Sequence, residues 1–584
     1  MNKPYQDPSD TVEHRVEDLL GRLSLEDKAG LMFHDIVAIG HGGGLMRANN
    51  PYGRPDTEVA IGQMRLNHFN LAGPITDIRE LIEWHNRVQE LAAATGWGIP
   101  VTLSTDPRHS FSNNPGTEAL AGAFSRWPQS LGFAALGDPD LVQRYADIAR
   151  QEYLAAGLRV ALHPQIDLAT EPRWARIGMT FGEDADLTSR LVTAYIHGFQ
   201  GTKLGHESVA TMTKHFPGGG PQKDGEDPHF AYGREQVYPG DQRDYHLRPF
   251  RAAIAAGTSQ MMPYYGMPVG TSWEEVGFAF NRDVITAILR EELGFDGIVC
   301  TDWGLIGDSV ILGQPMPARA WGVEHLSMVE RVQRAIEAGC DQFGGESKPD
   351  LVVEAVRSGL VSETRIDQSV RRLLREKFTL GLFDHRFLDI DHALATIGRA
   401  DFRTEGQATQ RAAIVRLTQA ASGPASLPLQ PNLAIYAESF GDAATRLGTL
   451  VDEPGRADVA VIRLNAPFTP RPGGFEAFFH AGSLEFDETE RERIVDLCRQ
   501  VPTIVVLFLD RPAVVPEIAA AAAALLLDFG AEDDAVVDVL IGQAEAHGRL
   551  PFDLPSSTMA VVKSRSDVAF DTVAPLFRFG DGLD

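Results

Sequence analysis

The sequence predicts an α/β protein, a (β/α) barrel followed by a second α/β domain. Three observations carry that expectation. Between about residues 60 and 380, amphipathic helical stretches alternate with short apolar runs in at least six βα repeats, a rhythm that favours a closed barrel over an open sheet. After residue 405 come four near-continuous apolar runs, as in strands covered by helices on both faces. Polar residues cluster just after the barrel runs, where such barrels place their chemistry.

The elements follow in order. Residues 76–95 read as a helix by their 3.6 periodicity and 98–105 as a strand. Residues 138–157 open on Asp-Pro, close on glycine and lead into strand 157–164. The rhythm continues with helix 186–203 and strand 207–213, helix 244–256 and strand 258–264, helix 281–293 and strand 296–301, and helix 325–338 and strand 339–345. Residues 362–384 read as the helix that closes the barrel. The expected division is a barrel over 1–385, a linker over 386–404, a doubly wound α/β domain over 405–560 and a C-terminal tail over 561–584 packing back on the barrel. Within the second domain, 407–420 reads as a helix, and LAIYAE, DVAVIRLN, TIVVLFLD and AALLLDFG read as strands.

Composition narrows the function. With 584 residues, 43% of them hydrophobic, the chain can bury a full core. Its 53 basic and 80 acidic residues leave a formal charge of −27, which disfavours nucleic acid and anionic membrane surfaces as partners. A neutral sugar remains compatible, and a homo-oligomer is left open. The three cysteines, Cys300, Cys340 and Cys498, are widely spaced and form no metal-ligand pattern. No apolar leader follows Met1, so a cytoplasmic location is expected. The longest purely apolar run, 518–527, is ten residues, too short to span a bilayer.

Each candidate pocket residue falls after a strand: Asp106 after VTLST, Asp167, Arg173 and Arg176 after VALHP, Lys214 and His215 after VATMT, Tyr265 after MMP, and Asp302 after GIVCT. Singly, such an aspartate caps a helix about as often as it reacts, and Arg173 and Arg176 could pair with Glu171, Glu183 or Asp184. Five polar clusters on five strand ends suit a pocket better. An aspartate beside Trp303, with Lys, His and Arg to hold hydroxyls, suits a sugar: the indole packs on its apolar face and the charged groups bond its hydroxyls. Asp302 is then the nucleophile, its charge favoured by the cations around it. The glycine runs at 42–44 and 218–220 lack a phosphate-loop context, so no cofactor or metal is expected.

The motifs LSLEDKAGLM, TEPRWAR…TFGED, TKHFPGG, FDGIVCTDW, GRLPFDLP and the terminal PLFRFGDGLD resemble glycoside hydrolase family 3 over nearly the whole chain. The resemblance implies a (β/α)8-type TIM barrel followed by an α/β sandwich domain, without the fibronectin-like domain many relatives carry. It implies retaining hydrolysis of a β-linked glucoside or oligosaccharide. By matching position, Asp302 is the nucleophile, Asp106, Arg176, Lys214 and His215 hold the sugar, Tyr265 sits beside the nucleophile and Trp303 forms a wall. Arg173 is carried with them as substrate-binding. Ala175 replaces the usual glycine.

Retention needs a second catalytic group, typically a carboxyl about 5–5.5 Å from the first, which the family usually supplies from a sandwich-domain loop. Here that loop reads APFTPRPGGFEAFFHAGSLEFDE, with Pro470 where relatives carry glutamate. The first replacement is Glu476, flanked by phenylalanines that would exclude water, and the second is Glu485. The family's N-acetylglucosaminidase branch instead uses an Asp–His pair after Lys-His-Phe-Pro-Gly, which nominates His229 with Asp227 or Asp224. The expected function is release of terminal β-D-glucosyl residues. The alternatives are a β-N-acetylhexosaminidase or β-xylosidase, a Schiff-base lyase using Lys214, or a non-catalytic sugar-binding protein.

Overall fold

A computed structural model describes residues 3–110, 117–311 and 313–583. Eight parallel strands close a barrel: β1 Phe33–Ala38, β2 His68–Ala72, β3 Thr102–Thr105, β4 Leu158–Ala161, β5 Ala210–Phe216, β6 Gln260–Pro263, β7 Ile298–Trp303 and β8 Gln342–Gly344. Each pairs with its neighbour in sequence and β8 returns to β1. The helices read from periodicity are present, among them Ile78–Ala93, Pro139–Ala155, Ala185–Gln200 and Glu363–Thr379. The helix expected at 138–157 starts as its sequence suggests, with the Asp138 carboxylate accepting the Asp140 and Leu141 amides.

Strands β1 and β2 were not among the strands expected. FHDIVA and HFNLA carry the polar residues His34, Asp35, His68 and Asn70, all buried, so neither reads as an apolar run. The segment 41–58 is thereby the loop after β1, on the same rim as the other strand ends.

The second sheet has six strands: β9 Val415–Thr418, β10 Ala434–Glu438, β11 Thr449–Leu450, β12 Val459–Asn465, β13 Thr503–Phe508 and β14 Ala524–Asp528. Their order is β9-β14-β13-β12-β10-β11, parallel except for β9 against β14. The helix expected over 407–420 instead spans Ala400–Ala412, and Val415–Thr418 is β9. Ile414, Val415 and Leu417 gain more from burial beside β14 than their helical spacing offers. The stretch 386–404 expected as a linker holds helix Ile390–Thr396, whose Ala393 joins Phe402 in the barrel's core.

The tail touches both halves. At the 554–577 bridge the Leu554 amide donates to the Phe577 carbonyl and the Leu554 carbonyl accepts the Leu576 amide, and the Asp567 carboxylate accepts the barrel-side amides of Gly240 and Gln242 at 2.7 and 2.8 Å. Among the described residues no helix is long and apolar enough to cross a membrane.

Two glycines shape the rim. A Cβ on Gly344 would lie 2.2 Å from Trp303 Cε3, and one on Gly345, at φ +63°, 2.7 Å from Trp303 Cγ, so the indole lies flat on bare backbone. Gly344→Ala is expected to lift Trp303 off this seat, destabilising the fold by about 1–3 kcal/mol and raising KM more than it lowers kcat. Thermal melts and steady-state kinetics read both effects.

Candidate active site

The strand ends converge on one cavity of about 290 Å³, lined by Asp106, Arg176, Lys214, His215, His229, Tyr265, Asp302 and Trp303 together with Arg54, Asn70, Arg319 and Phe475. Asp302 ends β7 with its two oxygens in different states. Oδ1 accepts the Trp303 amide at 2.8 Å, while Oδ2 is buried and has no hydrogen-bond partner among the described residues. The Tyr265 hydroxyl accepts the Trp303 N–H and donates to the Trp303 carbonyl, both at 2.9 Å, which fixes the backbone beneath the carboxylate.

Arg176 and His215 lie within electrostatic reach of that carboxylate. His215 Nε2 lies 3.8 Å from Asp302 Oδ2. Burial drives the His215 pKa well below its ordinary value, with Arg176 adding to the effect, so the ring is neutral near pH 7. Its Nδ1 sits 2.7 Å from Asp167 Oδ2 and its Nε2 3.3 Å from Arg176 Nη1. That network assigns the proton to Nδ1 and makes Nε2 an acceptor. Burial raises the Asp167 pKa to about 6 against the pull of the Gly219 and His215 amides, leaving it ionised at pH 7. Lys214 Nζ pairs with Asp106 Oδ1 at 3.2 Å, and Asn70 Nδ2 donates to Asp106 Oδ2 at 3.0 Å. This is a floor of directional groups suited to neighbouring hydroxyls. Lys214 is thus occupied with a carboxylate, an arrangement at odds with a Schiff-base nucleophile.

Arg173 is a correction. It does not line the cavity; its guanidinium binds Glu171 at 2.8 and 3.0 Å and its carbonyl accepts from Arg511. The local ion pair wins because Glu171 is buried two residues away.

Both sandwich-loop glutamates also lie off the cavity. Glu476 sits on the turn Gly474–Phe478 and accepts the hydroxyl of the exposed Tyr232, whereas its neighbour Phe475 is the residue that lines the cavity. Glu485 accepts the Thr558 hydroxyl at 2.5 Å and anchors the tail side of the sheet. The loop docks on the barrel through Arg471 bound to Glu226, 2.8 Å to each oxygen, and through the Phe475 amide bound to Gln314 at 3.0 Å. Its one-residue alternation puts apolar side chains inward and the glutamate outward.

His229 is in the cavity, backed by Asp227. Its Nδ1 lies 2.6 Å from Asp227 Oδ1, and Asp227 Oδ2 accepts Trp174 Nε1 at 3.1 Å and the Tyr264 hydroxyl at 3.0 Å. His229 holds the Asp227 carboxyl well below its usual range despite full burial. Nδ1 therefore carries the proton shared with Asp227, and Nε2 is the ring nitrogen outside that pair. The ring packs between Tyr265, 4.6 Å away, and Phe479, 4.9 Å away. Asp224 lies apart on an exposed turn, 3.6 Å from Arg173.

Arg54 and Arg319 were not anticipated. Arg54 comes from the 41–58 loop, 3.0 Å from the buried Asp35, and donates to the Gly345 carbonyl; Arg319 comes from the segment after β7. Neither stands beside a strand-end motif. Among the described residues no group of three His, Cys, Asp or Glu could hold a metal.

With this geometry in view, the chain matches the glycosyl hydrolase family 3 N-terminal domain over residues 58–376 and the corresponding C-terminal domain over 310–584. The chain belongs to glycoside hydrolase family 3. It is a glycosidase. A probable beta-glucosidase C of Aspergillus flavus is 52% identical over 99% of this chain and 91% of its own. A periplasmic beta-glucosidase/beta-xylosidase of Dickeya chrysanthemi is 38% identical over 99% and 91%. Among solved structures, a β-glucosidase of Erythrobacter marinus superposes with a TM-score of 0.79 at 21% identity, covering 100% of this chain and 84% of that one. An exo-1,3/1,4-beta-glucanase of Pseudoalteromonas superposes with a TM-score of 0.77 at 22% identity, covering 98% and 74%. These two attest the fold.

Proposed function

We propose that this family 3 glycosidase is a retaining β-glucosidase that releases terminal β-D-glucosyl residues through a covalent intermediate on Asp302. The observation that carries the reading is Asp302 Oδ2, a buried carboxylate oxygen without a hydrogen bond among the described residues, in a cavity lined by Asp106, Lys214, Arg176 and His215. The names of the full-length relatives support glucose as the sugar. Asp302 attacks the anomeric carbon as the glycosidic C–O bond breaks, and His229 Nε2–H protonates the departing oxygen. In the second half His229 Nε2 takes a proton from water, whose oxygen displaces Asp302 and restores the carboxylate. Asp227 keeps Nδ1 protonated and stabilises the imidazolium. His229 is preferred to Glu476 and Glu485 because it alone of the three lines the cavity.

Incubation with 2-deoxy-2-fluoro-β-D-glucosyl fluoride tests the covalent step. The expected result is one glucosyl adduct by intact mass, mapped to the peptide containing Asp302. Cleavage of aryl β-glucosides with an adduct on another residue would overturn the assignment, and no cleavage of any β-glucoside would overturn the function.

A further inference from the structure

Arg319 has no part in the chemistry above, yet it is 2% exposed inside the same cavity. It follows the nucleophile strand after a small ribbon, Ser309–Ile311 against Gln314–Met316. Its guanidinium donates to two carbonyls on opposite sides of the reaction: Nη1 to Trp303 O at 3.1 Å, beside the nucleophile, and Nε to His229 O at 3.3 Å. It also lies 5.3 Å over the ring of Tyr265, whose hydroxyl holds the Trp303 peptide. Two residues on, Trp321 Nε1 donates to Pro228 O at 2.8 Å. Segment 319–321 therefore grips the 227–229 loop at two successive carbonyls while anchored to the end of β7.

We propose that Arg319 is a positioning residue that fixes the loop bearing Asp227 and His229 against the strand end bearing Asp302, and so sets the placement of the acid/base relative to the nucleophile. The inference rests on the reading of His229 as the acid/base. The residue type matters. A planar fork of donors spans two separated carbonyls and still stacks on an aromatic face, whereas a lysine carries its donors on a single atom and has no plane to stack. The charge matters as well. His229 faces Asp227 on its own loop, Arg176 from the loop after β4, His215 from β5, Tyr265 after β6 and Arg319 itself. The neighbouring cation disfavours the charged imidazole, so its removal raises the His229 pKa.

The test compares Arg319→Met and Arg319→Lys with the parent enzyme on methyl β-glucoside, which needs protonation of its leaving group, and on 2,4-dinitrophenyl β-glucoside, which does not. For Arg319→Met, kcat/KM on the methyl glucoside is expected to fall about 100-fold, the order that a misplacement of about 1 Å costs, against less than about tenfold on the dinitrophenyl glucoside. The alkaline limb of the methyl-glucoside pH profile moves to higher pH. Arg319→Lys keeps the limb in place and recovers part of the rate; it also supplies the leaving-group comparison if the methionine variant does not fold. Equal losses on both substrates with an unmoved limb, or no loss, would overturn the inference. His229→Ala run alongside separates the failures. If His229→Ala spares methyl-glucoside turnover, the acid/base reading falls. If it shows the selective loss and Arg319→Met does not, only the placement by Arg319 falls.

Discussion

Asp302→Ala removes the carboxylate proposed to form the glycosyl-enzyme, and turnover of aryl β-glucosides is expected to drop by about 10⁴-fold or more, as when other covalent catalysts lose their nucleophile. The fold should survive the change. Oδ2 makes no hydrogen bond among the described residues, and the Trp303 amide that Oδ1 accepts is also held by Tyr265. Glucose binding, measured by protection of intrinsic fluorescence or by calorimetry, should therefore persist, because Asp106, Lys214, Arg176 and His215 remain. Added azide should restore turnover of an activated substrate by entering the vacated space and give α-glucosyl azide. A variant with near-normal turnover would remove Asp302 from the mechanism.

His229→Ala is expected to split substrates by leaving group. Loss of a positioned general acid costs about 10²–10⁴-fold, felt in kcat/KM for methyl β-glucoside and cellobiose and scarcely for dinitrophenyl β-glucoside. The pH dependence has a definite sign. Burial lowers the His229 pKa below 6.5, against the opposing pull of Asp227. The acid form is thus present below that lowered value, and kcat/KM for poor leaving groups falls as pH rises through it. In His229→Ala that limb disappears. Glu476→Gln is the comparator: it removes a charge outside the cavity and should leave both substrates and the limb little changed. A selective loss in Glu476→Gln instead would return the acid/base to the sandwich loop.

The loop after β12 shows how much of the cavity lining the fold decides. The family pattern pointed to a carboxylate on the loop after β12, and such a loop does reach the barrel. What it inserts is Phe475 and Phe479, which pack around His229, with Glu476 turned to Tyr232. One residue of register in that turn decides between an aromatic wall and a carboxylate, and no local pattern sets it. Arg173 and Arg176 are a second case. Three residues apart after β4, they are equivalent by spacing, but Glu171 captures the first and the cavity receives the second.

From sequence alone came the alternation of helix and strand through most of the barrel, and the place of Asp302, Asp106, Lys214 and His215 at strand ends. These depend on periodicity and on the residue that follows an apolar run, both local properties. Only the tertiary structure revealed β1 and β2, where His34 meets Ser104 and Asn70 meets Asp106 on a neighbouring strand end. It likewise turned 415–418 into a strand beside β14, and brought Arg54, Arg319 and His229 from separate loops into one cavity. Those outcomes depend on contacts between segments far apart in the chain, where burial and hydrogen-bond geometry, rather than local preference, decide which side chain faces the site.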